Sequence, residues 1–591
     1  MKLRLSPKLL IIPVLFFAFF LRTYGLNWDQ SQHLHPDERF MTMVASSISF
    51  PSSLSEYFSQ NTSALNPYNH NFNFYVYGTV PLLVTRFFAE KFNYTDYDHI
   101  FFVGRLLSAV FDCFTLLLVY RLCLDLFKNL KAALFAGLLY SLAVLPIQQS
   151  HFFTVDAMTV FFTTFTLWLF VRFLLSKKSL FLILSAFFYG ISLASKTSVI
   201  IVAPLFGLFL LLSSFPQAEF KYLLKFKPYL NAFLMALVFF LVAALSFRIF
   251  QPYAFDGLLK LNPRFISNIR DAHNMITGEY DYPPNKQWTG TLPLIHPFIN
   301  IFFAGFGPVN TTLFLSGLYL LVRRRQIVKL SLLFPVVFLL AVFSYQGIEL
   351  AKYMRYFYPV YPVMAIIASY TLLFIPRRKI FIPAVLTFIF IADLIFTAAF
   401  LNIYSHAHSR VEASLWIYEN IPPRSRISNE IWDDSLPLNI GNNLTFQEFF
   451  YTPVSLDLYQ PDSGQKWQKL NEQFKSVDYL VMSSARLWGS IPRNPSLYPV
   501  ATLFYQDLFA GKTNFSLVKK IYSYPGFNLP FLHSCYLLGP SVYPGQSSRL
   551  FDADPSCENP GIYFRDDSLE ESFTVYDHPQ ILIFKNTRAS L

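Results

Sequence analysis

Apolar runs of roughly the length that crosses a bilayer recur along the first 402 residues of this 591-residue chain. A helix needs about 20 predominantly apolar residues to traverse the hydrocarbon core. Such runs lie near 9–26, 100–124, 132–148, 153–172, 180–195, 198–214, 230–250, 298–322, 330–346, 356–375 and 380–402, about 11 spans. The run at 180–195 is the shortest, and 72–90 reads as an interfacial stretch. Composition agrees: 54% of residues are hydrophobic and 14% are charged, against about 25% charged in a soluble domain. A string of soluble domains, a disordered chain and a collagen-like chain are therefore excluded. Four cysteines exclude a disulfide-stapled scaffold.

The basic residues orient the spans. The first run follows Lys2, Arg4 and Lys8 as in a signal peptide. Tyr24-Gly25-Leu26-Asn27-Trp28 is a poor cleavage site, so the run reads as a retained helix entering from the cytoplasm. Basic clusters follow at Arg121/Lys128/Lys131, Arg172/Lys177/Lys178, Lys221/Lys225/Lys227, Arg323/Arg324/Arg325/Lys329 and Arg377/Arg378/Lys379. Each falls between two runs and alternates with loops poor in Lys and Arg. With the N-terminus inside, every cluster is cytoplasmic. Topology thus explains the net charge of +11, and nucleic acid is not a partner. The expected fold is a polytopic α-helical membrane protein of about 11 helices, residues 1–402, followed by a C-terminal extracytoplasmic α/β or α+β domain, residues 403–591. Outer loops cover about 27–99 and 251–297.

In the C-terminal region, Trp416–Asn420 reads as helix and stops at Ile421-Pro422-Pro423, because proline cannot continue it. Val477–Met482 and Gln580–Lys585 read as strands, with Tyr576-Asp577-His578-Pro579 as the turn before the second. Cys535 and Cys557 can pair in an oxidising exterior. Cys113 and Cys123 read as small buried hydrophobes.

Polar residues at the outer ends of spans need a reason to be there, because a bilayer makes them costly. Asp37 and Glu38, in His33-Leu34-His35-Pro36-Asp37-Glu38-Arg39, lie shortly after the first run. Asp156 opens the fourth span, where an acid also suits the helix dipole. Lys196 is the charge in a very short outer connection, where it either snorkels or holds an anion. Arg105, Lys352 and Arg355 gather on the same face. Cations kept there, against the positive-inside bias, suggest a phosphate ligand. Asp112 and Asp393 lie deeper and read as polar packing.

Pro36-Asp37-Glu38-Arg39, Gly104-Arg105-Leu106-Leu107-Ser108, His151–Asp156, Ala194-Ser195-Lys196 and Arg355-Tyr356-Phe357-Tyr358-Pro359 occur in this order. Over residues 1–402 the chain resembles the C-type glycosyltransferase superfamily, polytopic enzymes that use polyprenyl-phosphate sugars. That superfamily includes protein O-mannosyltransferases and lipid A aminoarabinose transferases. Asn285-Lys286-Gln287-Trp288-Thr289-Gly290 and Phe573-Thr574-Val575-Tyr576-Asp577-His578-Pro579 resemble bacterial and archaeal phospholipid-carrier-dependent relatives.

The resemblance implies that Asp37 is the catalytic acid/base position, with Glu38 beside it and Asp156 as the second acidic position. It implies that Arg105, Lys196, Lys352 and Arg355 face the donor phosphate. His35, His151, Gln287, Trp288 and Tyr356 are the expected substrate-pocket residues. The C-terminal domain lacks a recognisable protein-binding repeat, which leaves the acceptor open between protein, lipid and glycan. The expected localisation is the plasma (inner) membrane.

A sugar on a polyprenyl phosphate already carries its leaving group, so no cofactor is required. A carboxylate takes the proton of the acceptor hydroxyl, and Arg and Lys stabilise the departing phosphate. One base and direct displacement imply inversion. A divalent metal bridging Asp37, Glu38 and phosphate is compatible with oxygen ligands, and the His-rich loop also permits a transition metal. The alternative is a lipid-linked-sugar transporter or flippase. Such proteins often show internal repeats and midplane charges; this sequence has no internal repeat, and its charges cluster at one face.

Overall fold

The computed structural model describes residues 7–215, 225–374, 381–440, 450–538 and 560–590. Lys2, Arg4, Lys221, Arg377, Arg378, Lys379 and Cys557 lie outside the described residues. Seven described helices are long and apolar enough to cross a membrane: Tyr97–Phe127, Asp156–Ser176, Thr197–Ser214, Phe226–Phe250, Leu330–Ile348, Met354–Phe374 and a segment within Pro383–Asn420. An eighth is obtained if Leu130–Ser141 and Val144–Ser150, bent by 58°, form one broken span. The predicted runs at 9–26 and 180–195 fold as the shorter apolar helices Ile11–Thr23 and Ser179–Ser195. The run at 298–322 is split. Ile295–Gly305 ends before Gly307, whose φ of +84° turns the chain into Pro308–Arg323. By length, then, seven or eight of the described helices suffice to span, and three shorter apolar helices accompany them. The 72–90 stretch forms a helix, Thr79–Phe92, that buries Leu82, Thr85 and Ala89.

Burial follows position in the bundle. Within Asp156–Ser176, 72% of the apolar window is buried, against 17% in Phe226–Phe250. The first is central, and the second presents Phe233, Leu237, Leu241 and Leu245 outward. Inside the bundle, Asp112 binds Arg22, Tyr140 and Tyr358, so its charge is met by a fully buried cation and two hydroxyls. Asp393 is buried as well. Both were expected as polar packing. Cys113 and Cys123 are free and buried.

The C-terminal region is α/β. Its main sheet comprises β1 (Arg426–Glu430), β2 (Thr452–Leu456), β3 (Tyr479–Met482), β4 (Phe515–Ile521) and β5 (Ile581–Asn586). The order is β2-β1-β3-β5-β4. β1 runs parallel to β2 and β3, and β5 runs antiparallel to β3 and β4. The two strands expected from sequence are thus β3 and β5, and they pair with each other. Helix Ser409–Asn420 stops before the proline pair, as read from the sequence. A smaller sheet joins Gly526–Phe527, Gly561–Arg565 and His533–Leu537. Cys535 is disulfide-bonded.

The Phe573–Pro579 segment clasps this region to the bundle. Trp28 Nε1 donates to the Asp577 carbonyl at 3.2 Å. Gln148 and Tyr404 donate to its carboxylate at 2.9 and 3.0 Å. His578 lies between Asp577 and Asp566, the latter at 2.6 Å. Burial alone would lower the imidazole pKa; the two carboxylates outweigh it and raise it to about 10. The folded value lies above the unfolded one, near 6.5. The stabilisation is therefore complete below about pH 6.5 and is lost as pH rises through about 10. Thermal unfolding in detergent should show Tm falling between pH 7 and 10.5, and His578→Asn should flatten that slope.

Candidate active site

The site forms where the segment after helix Ile11–Thr23, two helix ends and the C-terminal region meet. Helix Pro36–Ser47 begins with proline in its first turn and is capped by His35, whose Nδ1 accepts from the Asp37 amide at 3.1 Å. Asp37 and Glu38 are consecutive on this helix, so they point about 100° apart and do not act as a pair. Asp37 is ion-paired with Arg355. Burial would raise its pKa, but Arg355, His35, Lys196 and the nearby Tyr77 hydroxyl hold it below the usual carboxylate range. Burial keeps His35 neutral, with its pKa lowered to about 4. The ring of His35 packs between Phe152 and Tyr576, at 4.5 and 4.3 Å.

Asp156 stands in the first turn of Asp156–Ser176 and accepts from Lys196 Nζ at 2.7 Å. Lys196 sits where Ser179–Ser195 ends. Its ammonium lies 4.8 Å from the centre of the Tyr356 ring, and the Arg355 guanidinium lies 5.6 Å from the same ring. Both cations therefore border the Tyr356 ring. Gly78 brings Tyr77 here. Its amide bonds Ser195 at 3.1 Å, and a Cβ would fall 1.9 Å from the Ala194 carbonyl oxygen, so only glycine allows this approach.

Two spaces open on these residues. A narrow groove of about 40 Å³ is lined by Asp156, Lys196, Arg355 and Tyr356 together with the apolar Val199, Val202, Phe338 and Val342. A polar cavity of about 280 Å³ is lined by Asp37, Arg39 and Arg355 from the bundle side and by Arg410, Asp433, Asp434, Arg486, Glu571 and Tyr576 from the C-terminal region. Arg355 lines both. Arg39 bonds Asp434 at 2.7 Å, and Arg410 bonds Asp433 and Asp434 at 2.7 and 3.0 Å, which fixes the roof of the cavity over Asp37.

Asp37, Asp156, Lys196, Arg355, Tyr356 and His35 are thus brought together. Four expected residues are not. Arg105 spends all five N–H donors inside the protein: on Asp29 at 3.0 and 2.7 Å, on Glu38 through two nitrogens, and on the Leu26 carbonyl at 2.7 Å. No donor remains for a phosphate. Glu38 is fully buried and also accepts from the Phe153 amide at 2.6 Å, so it is a structural acid. Gly104 permits this, since a Cβ there would lie 2.1 Å from the Phe153 ring. Lys352 is buried, donates to the Leu350 carbonyl at 3.1 Å, and lines neither space. His151 is buried against Tyr404, with ring centres 3.8 Å apart, and bridges the Ile147 and Tyr24 carbonyls. Gln287 and Trp288 act from behind. Gln287 donates to Glu571 at 2.6 Å, and Trp288 packs on Tyr353, which lines the cavity. Among the described residues, no group of three or more His, Cys, Asp or Glu converges as a metal site. With Glu38 committed to Arg105, a metal bridging Asp37 and Glu38 does not fit this geometry.

The sequence reading missed Tyr77 and the roof residues Arg410, Asp433, Asp434 and Arg486. The adjacent acids of Trp432-Asp433-Asp434 were a readable signal. The others carry none, because they belong to a region with no spacing rule.

A model of the dolichyl-phosphate-mannose-protein mannosyltransferase family matches residues 86–245. The solved oligosaccharyltransferase of Archaeoglobus fulgidus aligns over 83% of this chain and 70% of its own, with 15% identity and a TM-score of 0.50. The chain resembles the C-type glycosyltransferases. Two further solved structures are similar. ArnT from Cupriavidus metallidurans, bound to undecaprenyl phosphate, covers 86% of this chain and 96% of its own at 12% identity and a TM-score of 0.42. The S. cerevisiae Pmt1–Pmt2 complex, bound to its sugar donor, covers 44% and 35% at 17% identity and a TM-score of 0.32. No curated protein sequence matches the chain. The family-model match supports a glycosyltransferase-type function, and the Archaeoglobus fulgidus structure supports the fold.

Proposed function

We propose that this protein transfers a sugar from a polyprenyl phosphate to an acceptor hydroxyl at the outer face of the plasma membrane, with inversion at the anomeric carbon. The observation that carries this reading is the double placement of Arg355, which lines the apolar groove and is ion-paired with Asp37 in the polar cavity. An isoprenoid chain suits the apolar walls, its phosphate suits Lys196 and Arg355, and its sugar then points toward Asp37. Asp37 takes the proton of the acceptor hydroxyl. The acceptor oxygen bonds to the anomeric carbon, the bond from that carbon to the phosphate oxygen breaks, and the electron pair leaves with the phosphate. Lys196 and Arg355 stabilise that charge without reorganising.

The same placement gives an order of events. A phosphate competes with Asp37 for Arg355. When Arg355 turns to the phosphate, Asp37 loses the cation that holds its pKa down and becomes the stronger base. The base is thus released by donor binding. The proposed arrangement in the membrane has the N-terminus in the cytoplasm, residues 1–402 in the bilayer and its outer loops, and residues 403–591 outside. Fusions of a reporter after Lys178 and after Arg410 should report opposite sides.

Asp156 acts in this reading through Lys196. Asp156→Asn should raise the KM for donor several-fold and change kcat less. Arg355→Ala should weaken donor use more than acceptor use. Unchanged donor KM in a well-folded Arg355→Ala protein would argue against the phosphate role.

A further inference from the structure

We propose that the main sheet of the C-terminal region carries a saccharide-binding cavity, and that it holds the body of a glycan acceptor whose reacting hydroxyl reaches Asp37. This rests on the glycosyltransferase reading above and narrows its acceptor to a carbohydrate. The cavity, of about 480 Å³, lies on β4 and β5 beside helix Pro499–Phe509. That is larger than the space at Asp37 and falls in the ~300–1,000 Å³ range of small-molecule sites. Its lining mixes the aromatic Trp488, Phe509 and Phe584 with the polar Lys520, Asp567 and Gln580. A sugar ring presents two matching aspects, an apolar C–H face for aromatic rings and a rim of hydroxyls for planar amide and carboxylate groups. The polar groups are oriented in advance. Gln580 Nε2 donates to the Tyr524 hydroxyl at 2.9 Å, and that hydroxyl donates to Asp567 at 3.2 Å. Neither the lipid groove nor the ion-paired roof over Asp37 uses these residues.

The cavity adjoins the site. Asp567 lines it and also a narrow cleft, and Arg486 and Glu571 line both that cleft and the cavity at Asp37. The chain supplies two independent rulers. Glu571 lies four residues after Asp567, and Gln580 four after Tyr576. Four residues span at most ~14 Å. The walls of the two cavities are therefore joined twice over that distance. An oligosaccharide can occupy the sheet cavity while its end sits beside the base.

The test uses the full-length protein in detergent micelles, calorimetric titration with chitotriose, mannotriose and cellotriose, and a parallel titration with undecaprenyl phosphate. At least one trisaccharide should bind saturably. Ser516→Trp, which fills the cavity, and the milder Gln580→Ala should each weaken that binding tenfold or more and leave undecaprenyl phosphate binding unchanged. Absence of binding by all three sugars, or equal binding in the Gln580→Ala protein, would overturn the proposal. The donor reading fails separately: Lys196→Ala that leaves undecaprenyl phosphate binding intact would sink it without touching the sugar arm.

Discussion

Asp37→Asn is expected to lower turnover by about 10²–10⁴-fold, the usual contribution of a positioned general base. The amide keeps the shape of the side chain, so the fold should persist. Donor affinity should be retained or improved, because Arg355 no longer has a carboxylate to leave. Sugar transfer from a polyprenyl-phosphate donor in proteoliposomes, measured beside donor binding, separates the two effects. Near-normal turnover would place the base elsewhere. A matched loss of turnover and donor affinity would make Asp37 a scaffold for Arg355 instead.

Arg105→Ala should act on folding rather than on the donor. It strands Asp29 and Glu38, both almost completely buried, without their shared cation. Removing one partner of a buried ion pair costs about 3–5 kcal/mol, a large share of a typical stability of about 5–15 kcal/mol. Detergent-solubilised yield and Tm should both drop, and Arg105→Lys should not rescue them, since one ammonium cannot replace five fixed donors. A variant of normal Tm with weakened donor binding would return Arg105 to the phosphate site.

These two residues show what was legible in the sequence and what was not. Their positions near the ends of apolar runs were readable, because a bilayer admits ionisable groups only for cause. Their partners were not. Arg105 and Arg355 look alike in the linear order of motifs, yet one meets two carboxylates in a sealed layer and the other borders open space. That distinction depends on Asp29 and on the direction of Glu38, which follows from helix geometry only once Pro36–Ser47 is known to be a helix. Asp156 and Lys196 were each readable as a helix end, and their 2.7 Å contact joins positions 40 residues apart. The strands β3 and β5 were visible as short apolar runs, whereas the pairing of Asp434 with Arg39, across 395 residues, has no local signature. The breaks within the spans were not legible, because composition marks an apolar run but not where it bends. Gly307 and the bend near Leu142 are the places where it does.

In the proposed mechanism one phosphate site, shared by Lys196 and Arg355, lies against the base Asp37. The most direct measurement is equilibrium binding of undecaprenyl phosphate to the full-length protein and to its Lys196→Ala, Arg355→Ala and Asp37→Asn variants, each first shown to have the wild-type Tm. The wild type should bind saturably, each cation variant should lose tenfold or more, and Asp37→Asn should bind equally or more tightly. Binding that is unaffected by both cation changes, or that is lost with Asp37→Asn, would contradict this mechanism.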